Sequence, residues 1–380
     1  MGTEPSLTTG MGTDIVSTEK TAADATASST VVAGIDLGDE QLAAVVRGGL
    51  SDVEELLVSE LSDGEDFLTE AALHLARAGG KRFRPLFTIL TAQLGPVPND
   101  PSIITAATVT ELVHLATLYH DDVMDEASMR RGAPSANAAG GNSVAILAGD
   151  YLFAHASRLV STLGPEAVRI IAETFAELVT GQMRETIGVK KEQDPVEHYL
   201  KVVWEKTGSL IAASGRFGGT FSGADAAHIE RLERLGDAVG TAFQISDDII
   251  DISSVSAQSG KTPGTDLREG VHTLPVLYAF REEGADADRL RELLAGPVTE
   301  DALVEEALEL LERSPGMVKA KAKLGEYAVA AKAQLLSSRR DRPTKRSCVS
   351  SITRSNESAD TSANRGLPGG NPPDSHWVGT

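Results

Sequence analysis

Leu118–Gly132, LYHDDVMDEASMRRG, places Asp121, Asp122 and Asp125 close together, with Arg130, Arg131 and Gly132 just behind them. Side chains four residues apart share a helix face, so Asp121 and Asp125 aim two carboxylates at one point. Carboxylates collect hard cations and guanidiniums collect phosphate, so the stretch reads as a site for a magnesium-bound phosphate ester. A solvated acidic face capped by a basic loop would look the same.

A second copy of the pattern decides between the two readings. Phe243–Asp251, FQISDDIID, sets Asp247, Asp248 and Asp251 in a run where Val239, Ala242, Ile245, Ile249, Ile250 and Ile252 are core residues by type. Charged groups enter such runs when they are paired or metal-bound. Two carboxylate clusters on two apolar helices, far apart in sequence, predict facing walls of one cavity.

Around these motifs the periodicity is helical throughout. Gln41–Leu61 carries Leu42, Val45, Val46, Leu50, Val53, Leu56, Leu57 and Leu61 at spacings of three and four. Further helices are predicted over Glu65–Ala78, Phe83–Leu94, Ile103–Tyr119, Ser143–Leu163, Pro165–Ile187, Pro195–Phe217, Ala227–Ile252 and His272–Glu283, with others near Asp301–Leu311 and Met317–Leu336. No alternating strand pattern stands out. The expected class is all-α, a helical bundle whose core holds the site.

Composition bounds the organisation. The chain has 380 residues, 41% of them hydrophobic, which is ample for one large core. Residues 1–30 form a Thr, Ser, Ala and Gly lead without period, 31–336 the helical domain, and 337–380 a Ser, Arg and Pro-rich tail. Lead and tail are both expected to be disordered, and the abrupt change after Leu336 has the look of a shifted reading frame. The single cysteine, Cys348, rules out an internal disulfide and fits a reducing cytoplasm. No uninterrupted apolar run reaches the roughly 18 residues of a membrane span. A net charge of −20 argues against nucleic acid and against electrostatic attachment to anionic lipid.

Two more motifs complete the set: GGKRFRP at Gly79–Pro85 and KTG at Lys206–Gly208. Together the four motifs make the chain resemble the all-trans polyprenyl diphosphate synthases, from about Val31 to about Leu336. The resemblance implies an isoprenoid-synthase-type bundle in which an allylic diphosphate ionises and alkylates isopentenyl diphosphate. It also implies magnesium, or manganese in its place, and a homodimer with at most peripheral membrane contact for product release. The expected product is a long-chain polyprenyl diphosphate, roughly six to ten isoprene units, for quinone side chains.

Residue roles follow from the same resemblance. Asp121, Asp122, Asp125, Asp247, Asp248 and Asp251 are the metal candidates. Arg130, Lys206, Thr207, Gln244, Asp247 and Lys261 belong to the allylic diphosphate, with Asp121, Asp125, Lys206, Thr207 and Gln244 named as catalytic. Lys81, Arg84, His114 and Arg131 belong to isopentenyl diphosphate, and Arg82 is expected to be solvated. Phe243 either faces the developing cation with its ring or packs in the core. Ala116, Thr117 and Val113, just before the first aspartates, are assigned to chain length, so an aromatic ring at Ala116 is expected to shorten the product. A class I terpene cyclase would share the first aspartate motif but needs no GGKRFRP and usually alters the second. A non-catalytic subunit of a heteromeric synthase would be expected to lose motif aspartates.

Overall fold

The structure, a computed structural model, describes residues 30–340 apart from 63, 65 and 254–262. The two expected disordered segments therefore fall almost wholly outside the described residues, as does Lys261. The all-α expectation holds. Helices α1 (Glu40–Ser62), α2 (Asp66–Arg77), α3 (Phe83–Ala92) and α4 (Ser102–Met124) build the first half of the bundle. Then come the short α5 (Ala136–Gly140), α6 (Asn142–Ser161), α7 (Pro165–Ile187) and α8 (Pro195–Val203). A π-helical turn (Trp204–Gly208) leads into α9 (Ser209–Phe221) and α10 (Ala226–Ser253). The chain continues with α11 (Thr265–Glu269), α12 (Leu274–Ala279), α13 (Ala285–Leu293), α14 (Asp301–Glu312) and α15 (Pro315–Arg340).

α4 is the central element. It packs along α6, α3, α9 and α1, and its buried side chains include Val109, Leu112, Val113, Leu115, Ala116 and Tyr119. Burying each Leu or Val side chain contributes on the order of 1.5–3 kcal/mol. Truncating one of them, as in Leu112→Ala, would cost about 2–5 kcal/mol. Among the described residues α4 is also the one helix long and apolar enough to cross a membrane, but 67% of its apolar window is buried inside the protein. Its apolarity serves the core.

Three departures from the sequence expectation shape the site. Two hairpins appear, β1 (Val31–Val32) with β2 (Ile35–Asp36) and β3 (Met129–Arg130) with β4 (Ala133–Pro134). Both turn through consecutive positive φ values, Ala33 and Gly34 in one, Arg131 (φ 53) and Gly132 (φ 74) in the other, as tight hairpins require. Strands of two residues carry no period, so neither hairpin is visible as alternation. The second departure is the π turn, which breaks the predicted helix Pro195–Phe217 in two. Here the Ser209 N–H reaches back to the Trp204 carbonyl, one residue further than an α-helix allows.

Close approach makes room for that turn. A Cβ on Gly181 of α7 would lie 2.8 Å from the Lys206 backbone nitrogen, and one on Gly240 of α10 2.8 Å from the Gly208 Cα. Arg184 donates from Nε and Nη2 to the buried Glu205 at 2.6 and 3.0 Å, tying α7 to the turn. The third departure is in the tail region, where α15 continues to Arg340, four residues past the expected boundary.

Candidate active site

One large cavity, about 980 Å³, opens at the C-terminal end of α4 and collects most of the motif residues. Down α4, Glu111, His114, Thr117, Leu118 and Asp121 line it at spacings of three, three, one and three, and His120, Val123 and Met124 join them at the C-terminal turn. The first five share one helical face. From α10 come Phe243, Gln244 and Asp247, from the π turn Lys206 and Thr207, from the loop before α3 Lys81 and Arg82, and from the first turn of α3 Arg84. Arg130 and Arg131 enter from the second hairpin. The remaining wall is largely apolar, with Phe175, Leu178, Val179 and Met183 of α7 facing Ile146 of α6.

The two ends of the cavity differ in charge. At one end Asp121 is taken out of water, and burial pushes its carboxyl up to about 6; Lys206 and Arg130 pull it back, while Asp125 and Glu185 push it further. Burial opposes the charge on Lys206 in turn, but Glu185, Asp121 and Asp125 outweigh it and hold its ammonium above the ordinary lysine value. Lys206 donates to Glu185. Asp125 is exposed at the C-cap of α4.

At the other end the groups are basic. The Arg84 Nε is sealed from water and has no hydrogen-bond partner. Burial lowers the Arg84 guanidinium to about 10, against the pull of Glu111 and with help from Arg131. His114 is held well below its usual value by burial, then by Arg84, Arg131, Arg82 and Arg130, so its imidazole is neutral. Arg131 is likewise lowered by burial. It donates from Nη1 to the Leu75 carbonyl at 3.2 Å and to that of Gly79, which clamps the hairpin onto the glycine loop. Lys81 is exposed on the rim. Buried cations with spare donors and lowered pKa values form a pocket suited to an anion.

Several sequence assignments need correction. Asp122 is fully buried and does not line the cavity. It takes the Nε of Arg130 at 2.6 Å and leaves its other oxygen without a partner, so it positions Arg130 from behind the cavity wall. Asp248 is buried away from the cavity, accepting from the Tyr199 hydroxyl and from Gln244 Nε2 at 3.0 Å. Asp251 accepts the backbone N–H groups of Thr265 and Asp266, each at 3.2 Å, and so caps α11. Of the second triplet only Asp247 lines the cavity wall.

Arg82 is not solvated. It is 7% exposed, donates to both oxygens of Glu54, and reaches Glu111 Oε1 and the Ala76 carbonyl at 2.8 Å each. Its donors are spent on the protein, which makes it a brace between the loop that carries Lys81 and the start of α3 that carries Arg84. Ala116 and Val113 also miss the cavity, because they point into the core cluster that α4 shares with α2, α6 and α7. Thr117, one residue on, is the member of that trio which lines it. Phe243 faces the cavity and stacks on Phe83 with ring centroids 5.2 Å apart.

Sequence inspection missed Glu111, Glu185 and Tyr199. Glu111 carries a legible signal, an acid three residues before His114 in an otherwise apolar helix. Glu185 and Tyr199 carry none, since only the fold brings them to Lys206 and Asp248.

Among the described residues no three His, Cys, Asp or Glu side chains gather into a ready-made metal cage. The donor set still fits a hard divalent cation. Magnesium is usually held by one or two carboxylates together with substrate phosphate oxygens and water. Asp121, pushed up by burial and by its acidic neighbours, is a carboxylate that a cation would relieve. Asp121, Asp125 and Asp247 would hold it.

The "Polyprenyl synthetase" family model matches residues 65–311. The chain is 64% identical over 307 residues to the nonaprenyl diphosphate synthase of Mycobacterium tuberculosis (strain ATCC 25618 / H37Rv), covering 81% of this chain and 92% of that protein. It is 51% identical over 305 residues to a dimethylallyltranstransferase of the same organism, covering 80% of this chain and 93% of that protein. Among solved structures, the geranylgeranyl pyrophosphate synthase from Corynebacterium glutamicum, complexed with calcium and isoprenyl diphosphate, superposes with a TM-score of 0.77 at 49% identity. The superposition covers 86% of this chain and 98% of that one.

Proposed function

The chain belongs to the polyprenyl synthetase family, and from that premise we propose that its cavity elongates an allylic diphosphate with isopentenyl diphosphate to give a long-chain polyprenyl diphosphate. The observation that carries the reading is one cavity with an acidic end around Asp121 and Asp247, a basic end around Lys81, Arg84, His114 and Arg131, and an apolar wall contributed by α7. A cyclase acting on one diphosphate has no use for the second end.

The chemistry asks three things of the protein. Charge must be neutralised on the leaving allylic diphosphate, and preorganised charge of this kind is usually the largest catalytic term. Arg130, held by Asp122, and Lys206, held by Glu185, supply fixed positive groups there. Asp121, Asp125 and Asp247 would hold a divalent cation, which the reading takes to be magnesium, and it would supply the remaining positive charge at the leaving diphosphate. The second diphosphate must be held nearby with its double bond inward, which falls to Lys81, Arg84, His114 and Arg131. Neutral His114 donates or accepts one hydrogen bond without adding charge to an already cationic pocket.

Water must also be kept from the cation formed when the C–O bond breaks. Phe175, Leu178, Val179, Leu210 and Ile211 line that part of the cavity. The ring face of Phe243 offers the cation a favourable quadrupole. The new C–C bond then forms at the double bond of isopentenyl diphosphate, and a proton leaves to restore neutrality.

Product length is set by the apolar lining. Met183 and Ile187, 59% and 68% exposed, flank Glu185, which takes Lys206, and so lie at the mouth beside the leaving diphosphate; the hydrocarbon tail runs the other way, past Thr117, Phe175 and Leu178. The naming of the 64% identical relative as a nonaprenyl diphosphate synthase supports a long product. The reading extends to a cytoplasmic homodimer whose product serves quinone side chains. Incubating the protein with isopentenyl diphosphate, farnesyl diphosphate and magnesium, then sizing the product by chromatography, tests it. Absence of any elongated diphosphate would sink it.

A further inference from the structure

We infer that Tyr199, which lies outside every sequence motif, is a positioning residue for the condensation: through Asp248 and Gln244 it dictates which end of the Thr207 hydroxyl faces the cavity. The inference rests on the reading of this cavity as a prenyl-elongation site. Tyr199 lies on α8, and its hydroxyl donates to Asp248 Oδ2. The other oxygen of that carboxylate accepts from Gln244 Nε2 at 3.0 Å. Gln244 in turn accepts at Oε1 from the Thr207 hydroxyl at 3.3 Å. Tyr199 and Asp248 stand behind the wall, whereas Gln244 and Thr207 line the cavity itself.

Each link has a fixed direction. Asp248 Oδ1 accepts from Gln244 Nε2, so the amide turns its NH₂ toward Asp248. Its carbonyl oxygen is thereby left pointing at Thr207. A carbonyl oxygen only accepts, so the single proton of the Thr207 hydroxyl is spent on Gln244. What Thr207 then presents to the cavity is oxygen lone pairs. With the amide reversed, Gln244 would donate to Thr207, and the hydroxyl proton would be free to point inward.

The difference matters to a reaction that passes through an allylic cation. A lone pair aimed at the cation lowers its energy, and the positive end of an O–H dipole raises it. Tyr199 secures the favourable arrangement by engaging the far oxygen of Asp248, so the buried carboxylate cannot swing away from Gln244. Asp248 thus contributes direction to the hydrogen-bond chain, while Asp247, one residue earlier, lines the cavity.

The test compares the wild-type protein with Tyr199→Phe and Asp248→Asn at saturating divalent metal, measuring kcat, KM for both diphosphates, and Tm. Tyr199→Phe should lower kcat roughly 10- to 100-fold while both KM values stay within about threefold, as expected of misplacement without loss of binding. Asp248→Asn keeps the shape but permits the amide to reverse, and should lower kcat at least as far. The double variant should be no worse than Asp248→Asn alone, because the two act through one chain. If Tyr199→Phe unfolds, the kcat and KM split of Asp248→Asn decides the matter. An unchanged kcat in the folded variants, or a loss recovered by raising the metal concentration, would overturn the assignment. If the wild-type protein fails to elongate, the functional reading falls and takes this inference with it. If it elongates and the variants match it, only the role of Tyr199 falls.

Discussion

Arg131 lies so close over Gly80 that a Cβ at Gly80 would meet the guanidinium carbon at 2.8 Å. Gly80 also sits at φ +142, where a side chain is strained. Gly80→Ala should therefore push Arg131 away from its carbonyl anchors and distort the basic end of the cavity. The expected result is a KM for isopentenyl diphosphate raised at least tenfold, with that for the allylic primer little changed. Steady-state kinetics with each substrate varied in turn checks it, and an equal rise for both would count against the clamp.

The two ends of the cavity should separate in kinetics. Lys81→Ala and Arg84→Ala should raise KM for isopentenyl diphosphate, and Arg130→Ala that for the allylic primer. A hydrogen bond between charged groups is worth about 1.5–3 kcal/mol, or roughly 10- to 150-fold. Effects of similar size on both substrates in all three variants would argue against two pockets.

Asp121 links the site to stability. Its carboxyl stands at about 6 in the folded protein against an ordinary value of 3.8, so the folded state favours its protonated form. That contribution is fully present below pH 3.8 and is lost as the pH rises through about 6. At pH 7.5, without metal, wild-type protein bears the cost of a buried charge, on the order of 1–3 kcal/mol. Asp121→Asn should thus melt higher than wild type in metal-free buffer, lose turnover by orders of magnitude, and gain less stability from magnesium plus diphosphate. A lower Tm for the metal-free variant would contradict this.

Chain length should respond at the cavity wall. Thr117→Phe places a ring in the lumen and should shorten the product, read by chromatography of the dephosphorylated alcohols. Ala116→Phe forces the same ring into a packed core, which typically costs about 1–3 kcal/mol, and should lower Tm. Unchanged product length in Thr117→Phe would show that the tail takes another route.

Much of this architecture is legible in the sequence, and the gaps have physical causes. The paired carboxylate motifs and the apolar runs around them locate both walls, because a charge in a core helix has few bland explanations. Helical spacing alone could not sort the members of each motif. Asp247 and Asp251 are four apart as the pattern asks, yet Asp251 turns to the N-terminal backbone of α11, which only the fold brings near. Asp122 and Asp248 are neighbours of lining aspartates, and each is claimed by another side chain, Asp122 by Arg130 on the cavity wall and Asp248 by Tyr199 behind it. Of Ala116, Thr117 and Val113, all assigned to chain length on the right helix, Thr117 is the one that reaches the lumen.

The π turn at Trp204–Gly208 amounts to one surplus residue wound into an otherwise continuous helical rod. Upstream of it, Val196, Val202 and Val203 keep α8 buried, and downstream Leu210, Ile211 and Phe217 do the same for α9. Excising a single residue here would leave composition, hydropathy and helix content almost untouched. It would also close the bulge into a plain α-helical turn, leaving the flanks of α8 and α9 on their faces. Lys206 and Thr207, which sit within the bulge, would then lose the positions from which they line the cavity. Such a deletion would pass for a neutral length polymorphism, although its cost is the placement of Lys206 and Thr207 on the cavity wall.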